Sequence, residues 1–208
     1  MKNTKERIID ASVLLFNQKG ISAVSLRDIA DYIGISSGNL SYHYKNKNYI
    51  IDAIFEKMEK ERNELLNAVE QHPSFENINL QALAIVRLSI RYRFFYLDTL
   101  DIIRENSKLG KLHRQYIERH IQYVNMLLNH AAYTGHLIET TNKNLYKKLS
   151  EMVWFTLQFW IQAGSIRGKK TIKPEEAVET MWQLILPYLT SKGKEKIPLN
   201  LKTIKLIQ

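Results

Sequence analysis

Nearly every stretch of this 208-residue chain repeats its apolar residues at intervals of three and four, and almost none alternates them at two. That period places apolar side chains along one stripe of a helix and suits no half-buried strand, so the pattern predicts an all-α fold. The breakers agree, because the eight glycines and four prolines fall mostly where helices should start or stop. A first helix is expected over Thr4–Lys19, with Asn3 and Glu6 in a capping-box relation, Gly20 as terminator, and Ile8, Ala11, Leu15 and Phe16 as its buried stripe. A short helix follows over Leu26–Ile33, capped by Ser25, carrying Asp28 at its third position and stopped at Gly34. Ser36 caps a third, over Ser37–Tyr44. A long fourth helix runs from Lys47 to Glu70 on the ladder Ile50, Ile54, Phe55, Met58, Leu65, Leu66 and Val69, until His72-Pro73-Ser74 breaks it. Further helices are expected over Ile78–Tyr96 with a continuation to Asn106, over Lys108–Tyr133 before Gly135, over Lys143–Ser165, and over Pro174–Thr190. Lys192–Lys196 reads as a solvated end and Pro198–Gln208 as a loosely held tail.

Composition narrows the function classes. The formal net charge of +9 favours a polyanionic partner, though basicity alone decides little. With no cysteine, disulfides, thiolate metal sites and cysteine nucleophiles are excluded, and a cytoplasmic location is compatible with that. The N-terminus is interrupted by charge and does not read as a signal peptide. The densest apolar stretch, Met152–Ile166, is interrupted by Thr156, Gln158 and Gln162 and is shorter than the roughly 20 residues of a membrane span.

Two short helices joined by a tight turn and braced by a longer helix form a helix-turn-helix unit, which presents a helix to the major groove of B-DNA. Ile29, Ala30 and Ile33 can pack on Ile35, Leu40 and the Leu15-Phe16 face, while Gly34 allows the turn. Ser37, Asn39, Ser41, Tyr42 and His43 are left mostly outward, all small or hydrogen-bonding types suited to base edges and phosphates. Residues 1–50 carry seven lysines and arginines against four acids, so the head is moderately basic.

These residues resemble the TetR-type transcriptional regulators. The resemblance rests on Ile8-Ile9-Asp10-Ala11, Leu15-Phe16, Lys19-Gly20, Ser25-Leu26-Arg27-Asp28-Ile29-Ala30, Ile33-Gly34-Ile35-Ser36, Ser37-Gly38-Asn39-Leu40 and Tyr42-His43-Tyr44-Lys45-Asn46-Lys47, and covers about the first 60 residues. It implies that Ser25 and Arg27 meet the phosphate backbone, that Ser37, Gly38, Asn39, Tyr42 and His43 lie on the recognition helix, and that Tyr44 and Lys47 clamp a phosphate at the start of the fourth helix. Position 41 departs from the pattern: Ser41 stands where the family usually carries tyrosine, so a contact made by that ring is not implied. The expected organisation is a DNA-binding domain over 1–60, an effector-binding and dimerisation domain over 61–191, and a tail over 192–208.

The aromatic-rich segments of the second half are plain core by default, and the resemblance implies a small-molecule pocket among them. Arg91, Phe95, Tyr116, Tyr123, Trp154 and Phe155 are the candidate lining residues. Arg87, Arg91 and Arg93 either supply charge to an anionic ligand or form a solvated face. His113 and His120 share a helix face but lack a third ligand at convincing spacing, so no metal site is expected, and no enzyme or cofactor motif is present. Leu145, Leu149, Met152, Thr156, Phe159, Trp160 and Ala163, with Val178, Met181, Leu184, Ile185 and Tyr188, repeat at three and four. By resemblance the helices over 143–165 and 174–190 form a homodimer interface; alternatively a monomer buries both stripes internally. The expected function is that of a repressor released from a palindromic double-stranded operator by a small-molecule effector. The alternative is a DNA-binding architectural or interaction protein without an effector.

Overall fold

The computed structural model describes residues 3–70, 73–169 and 171–198, with the side chains of 68–70 outside the description, so the expected burial of Val69 and most of the tail lie outside it. Among the described residues the chain is helical, with a lone bridge between Leu137 and Leu189. The helices are α1 (Thr4–Lys19), α2 (Leu26–Ile33), α3 (Ser37–His43), α4 (Lys47–Glu70), α5 (Phe75–Arg91), α6 (Arg93–Leu97), α7 (Thr99–Glu105), α8 (Ser107–Tyr133), α9 (Leu145–Ile166), α10 (Pro174–Ile185) and α11 (Ser191–Glu195).

The chain forms two compact units. The first consists of Met1–Glu64 and Leu88–Gly110, the second of Leu65–Arg87 and Lys111–Gln208. Sequence patterning placed residues 88–110 with the second half, whereas their side chains pack in the first unit. Phe94 meets Phe16 at 5.3 Å between ring centres, and Phe95 meets Phe55 at 5.5 Å. Asn17 fastens the same junction, donating to the Arg91 carbonyl at 2.8 Å and accepting from the Phe94 N–H at 2.9 Å. Arg62 is buried beneath it; its guanidinium pairs with Glu59, donates to the Tyr96 hydroxyl at 2.6 Å and lies over the Phe95 and Tyr96 rings. A buried charge needs an ion partner and hydrogen bonds of this kind to be tolerated.

In the second unit α9 packs on α10. Leu149, Val153, Leu157 and Ile161 of α9 face inward, as do Val178, Met181, Trp182 and Ile185 of α10. The sequence stripe therefore merged two faces. Met152, Phe155 and Phe159 lie on the outer one and remain 49%, 54% and 44% exposed. The last long helix also ends earlier than its period suggests. Pro187 offers no N–H to continue the α pattern, and Leu186–Tyr188 tighten into a 3-10 turn.

Residues 192–196 keep Lys192, Lys194, Glu195 and Lys196 exposed, as expected of a solvated end, but the segment is folded and fastened through Gly193. Thr190 caps α11 through the Gly193 N–H, and the buried Gly193 lies so close to the chain that a Cβ would stand 2.0 Å from the His136 carbonyl oxygen. Only glycine permits that approach. Ile197 and Pro198 are buried behind it.

Candidate nucleic-acid interface and ligand cavity

The reading head is built by local hydrogen bonds. Asn3 and Glu6 form a capping box on α1, and Ser25 and Asp28 form another on α2. The Ser25 hydroxyl and N–H both donate to the Asp28 carboxylate, at 2.6 and 2.7 Å, and hold its pKa below the usual carboxylate value. Gly34 ends α2 in the left-handed region (φ 69°, ψ 40°), which a side chain would strain. The Arg7 guanidinium donates to the Ile33 carbonyl at 2.7 Å, supplying one of the bonds that the end of a helix lacks. Ser36 then caps α3 by accepting from the Asn39 N–H at 3.1 Å.

This framework leaves α3 with one fully buried side chain, Leu40, and Tyr44 buried just beyond its end. Ser37, Gly38, Asn39, Ser41 and Tyr42 are exposed and His43 half-buried, so the structure brings the expected recognition residues onto one presented helix. Tyr42 is 86% exposed, and its ring meets His43 edge-on at 5.3 Å. An aromatic ring so exposed on a small polar surface is suited to a partner's groove. Ser25 is exposed at the start of α2, and the Arg27 side chain is 83% exposed with only a surface pair to Asp31 at 3.6 Å. Such a pair contributes little and leaves the guanidinium available to a phosphate.

Two expected phosphate contacts are placed otherwise. Tyr44 is core, and burial raises its phenol pKa. Lys47 points back into the head, its ammonium donating to the carbonyls of Ile21 at 2.7 Å and Val24 at 3.0 Å. Asp98 lies by the same loop, where burial raises its carboxyl pKa and a hydrogen bond with the Ile21 backbone opposes that rise. Lys47 thereby fixes the turn that delivers Ser25 to the start of α2. Arg7, Asn17 and Asp98 escaped sequence reasoning, because a lone polar residue bonding a distant backbone atom leaves no periodic signature.

The six candidate pocket residues do not converge. Arg91 and Phe95 belong to the first unit, where Arg91 pairs with Glu61 at 2.7 Å and Phe95 packs on Phe55. Tyr116 and Tyr123 are buried in the second unit, in a cluster with Leu66, Ile85 and Leu127. Tyr116 stacks on His113 and meets His120 at a tilt. Trp154 and Phe155 group with Phe159 on α9, toward its exposed side. The cavity of the second unit is lined instead by residues such as Phe75, Ile85, His120, Leu157 and Trp182, and measures about 50 Å³. It shares Ile85 and Leu127 with the tyrosine cluster, and none of the six candidate residues lines it. Among the described residues no group of three or more histidines and carboxylates is arranged for a metal ion, and no helix is long and apolar enough to cross a membrane.

Comparison with known proteins divides the chain at a single point, between residues 54 and 57. A family profile described as bacterial regulatory proteins of the tetR family matches residues 8–54, and one described as a bacterial transcriptional repressor, TetR, matches residues 57–197. The chain is 27% identical over 147 residues to the probable HTH-type transcriptional regulator YttP of Bacillus subtilis, covering 62% of this chain and 71% of that protein. It is 33% identical over 91 residues to the class D tetracycline repressor protein of Escherichia coli, covering 43% of this chain but only 41% of the repressor. A solved TetR-family transcriptional regulator from Marinobacter aquaeolei is similar over 94% of this chain and 95% of its own, with a TM-score of 0.86 and 26% identity. The fatty acid degradation regulator FadR of Bacillus halodurans shares the fold at a TM-score of 0.66 and 18% identity, over 89% of this chain and 96% of its own.

Proposed function

The chain belongs to the TetR family of DNA-binding transcriptional regulators, and from that premise we propose that it is a homodimeric repressor released from an inverted-repeat operator by a small molecule. The observation that carries the DNA-binding assignment is α3, which is capped, anchored by Leu40 and otherwise exposed in small and hydrogen-bonding side chains. Ser37, Asn39, Tyr42 and His43 meet base edges, while Ser25 and Arg27 meet phosphates and set the register. Selection of bound fragments from random duplexes should return two half-sites related by a two-fold axis. In the selected site, Asn39→Ala should relax preference at one base pair per half-site, at a cost of about 1–3 kcal/mol. A selected site without inverted repeats would overturn the dimeric assignment.

Dimerisation is supported by the outer face of α9, where Met152, Phe155 and Phe159 recur at three and four and stay exposed. A contiguous apolar face of this kind is a poor surface for a free monomer. Phe155→Glu together with Phe159→Glu should give a monomer by light scattering while the helical circular dichroism signal is retained. An unchanged dimer would place the interface elsewhere.

The effector acts by differential affinity, because a ligand shifts a protein between two arrangements only by as much as it prefers one of them. Operator DNA must then weaken effector binding by the factor by which effector weakens operator binding. The helices α4, α5 and α8 each continue from one compact unit into the other and form the covalent route for that coupling.

A further inference from the structure

Phe75, the first residue of α5, stands between two hollows of the second unit. One is the apolar cavity of about 50 Å³, in which Gln81 and His120 accompany a largely aliphatic wall. The other is a cleft of about 380 Å³ whose lining includes Glu76, His130, His136 and Lys196. Phe75, Ile78, Leu127 and Ala131 line both. The Phe75 ring meets Trp182 of the cavity at 5.4 Å and His136 of the cleft at 5.8 Å, both edge-on. With Ile78, Leu127 and Ala131 it forms the wall between them, and its ring touches both sides.

Size and polarity decide what this pair of hollows can take. Small-molecule sites run to about 300–1,000 Å³, so the cavity alone is far too small, while the cleft alone falls within the range. An apolar cavity of this kind gains nothing from water and favours hydrocarbon. Phe75 is only half-buried, so turning its ring aside disturbs less packing than moving a core residue. The cleft edge is basic. Lys196 lines it, and Lys192 is held in the same corner by donating to the Thr134 carbonyl at 2.7 Å. These two lysines outweigh the one lining carboxylate, Glu76. Their position is enforced by Gly193, whose close approach to the His136 carbonyl locks α11 against this segment. His136 senses the field: burial, then Lys192, Lys196 and His130, hold its pKa below the ordinary histidine value. An anion in the cleft relieves that repulsion.

We propose that this paired site binds an amphipathic carboxylate, with the hydrocarbon chain passing Phe75 into the cavity and the carboxylate seated against Lys196 and His136. The proposal rests on the effector-regulated reading of the protein and names the ligand class for it. Chain and head group make separate demands, so a neutral alcohol should bind weakly and a cationic amphiphile should be rejected.

The test titrates decanoate and decyltrimethylammonium below their micellar concentrations, and 1-decanol below its solubility limit, into the full-length protein without DNA. Calorimetry and the fluorescence of the tryptophans, Trp182 among them, report binding. Decanoate is expected to saturate one site per chain, decanol to bind at least tenfold more weakly, and decyltrimethylammonium not to saturate. Lys196→Glu should weaken decanoate at least tenfold without changing decanol, and Phe75→Ala should accelerate association of both. Equal affinities for decanoate and decanol, or no saturable decanoate binding by either the wild type or Phe75→Ala, would overturn the proposal. A parallel operator titration keeps the two claims apart. Decanoate that saturates the site without weakening operator binding would leave this site standing and remove the switch. Release of operator by other compounds, with no decanoate binding, would remove this ligand class and leave the switch standing.

Discussion

The helix-turn-helix head and the α9–α10 pair are stabilised in opposite ways. In the head, α1, α2 and α3 each begin with a side-chain cap, and long-range bonds from Arg7 and Lys47 tie the turns. The short helices bury little: α3 has only Leu40 fully inside, and α2 only Ile29 and Ala30. By contrast, α9 and α10 begin without any side-chain cap bond and bury eight and five residues respectively. One region spends its polar groups on fixing short helices so that most of their surface is free for DNA. The other relies on apolar contact, which is non-directional and tolerates a cavity and an exposed stripe. Recognition needs the first kind of construction, and ligand accommodation and association need the second.

The largest expected effect tests the apolar half of that contrast. Trp182 is fully buried, packs against Phe75, and donates its indole N–H to Asn79 at 3.0 Å. Trp182→Ala should cost about 3–5 kcal/mol in denaturant unfolding. Asn79→Leu, which removes the acceptor but keeps the bulk, should cost less, about 1–3 kcal/mol for the stranded donor. If the two substitutions cost the same, hydrogen bonding rather than packing governs this region and the contrast fails.

The same contrast explains what could be read from the residues alone. Caps and terminators are local, so Asn3 with Glu6, Ser25 with Asp28, Ser36 and Gly34 marked the head helices with little error at their ends. Packing direction is not local. Met152 and Val153 are neighbours in an apolar helix, yet one is 49% exposed and the other buried, and a period of three and four cannot choose between two apolar faces. The ladder of aromatic residues likewise said that Phe95 and Trp154 are apolar, not that one joins the first unit and the other the outer side of α9. Lys47 shows the limit within the head: its position follows the family pattern, but the direction of its ammonium depends on the carbonyls of a loop more than 20 residues away.

A smaller effect separates Lys47 from Arg27 and sharpens the view that the head is fixed by internal polar bonds. Hydrogen bonds from a charged group contribute about 1.5–3 kcal/mol, so Lys47→Met should lower head stability and operator affinity by an amount in that range. Because its ammonium is already engaged by Ile21 and Val24, the slope of log affinity against log salt should stay unchanged. Arg27→Ala should instead reduce the slope by about one, the signature of one lost phosphate contact, with little change in melting temperature. A slope that falls for Lys47→Met would restore Lys47 to the phosphate-contacting set.

The smallest effect concerns the cap that starts α2. Ser25→Ala removes the acceptor for the Asp28 N–H and the donor to the Asp28 carboxylate, and an N-cap loss of this kind costs about 1 kcal/mol. It also carries a pH signature. Asp28 is depressed in the folded protein, first by the Ser25 hydroxyl and then by the Ser25 N–H. The unfolded chain therefore takes up the proton first as pH falls. The stability Asp28 supplies is present above its unfolded pKa and is lost as pH falls through the folded value. In Ser25→Ala the carboxylate keeps only the backbone donor, so its pKa should move back toward the unfolded value and the acid limb of the stability curve should flatten. Asp28→Asn should remove this group's contribution to the limb altogether while keeping a side-chain acceptor for the Ser25 N–H. Thermal melts of the wild type and both variants across the acid range supply the measurement. Three parallel acid limbs would show that this cap acts through helix geometry alone, with no contribution from the Asp28 charge, unlike the starts of α9 and α10, which have no side-chain cap bond at all.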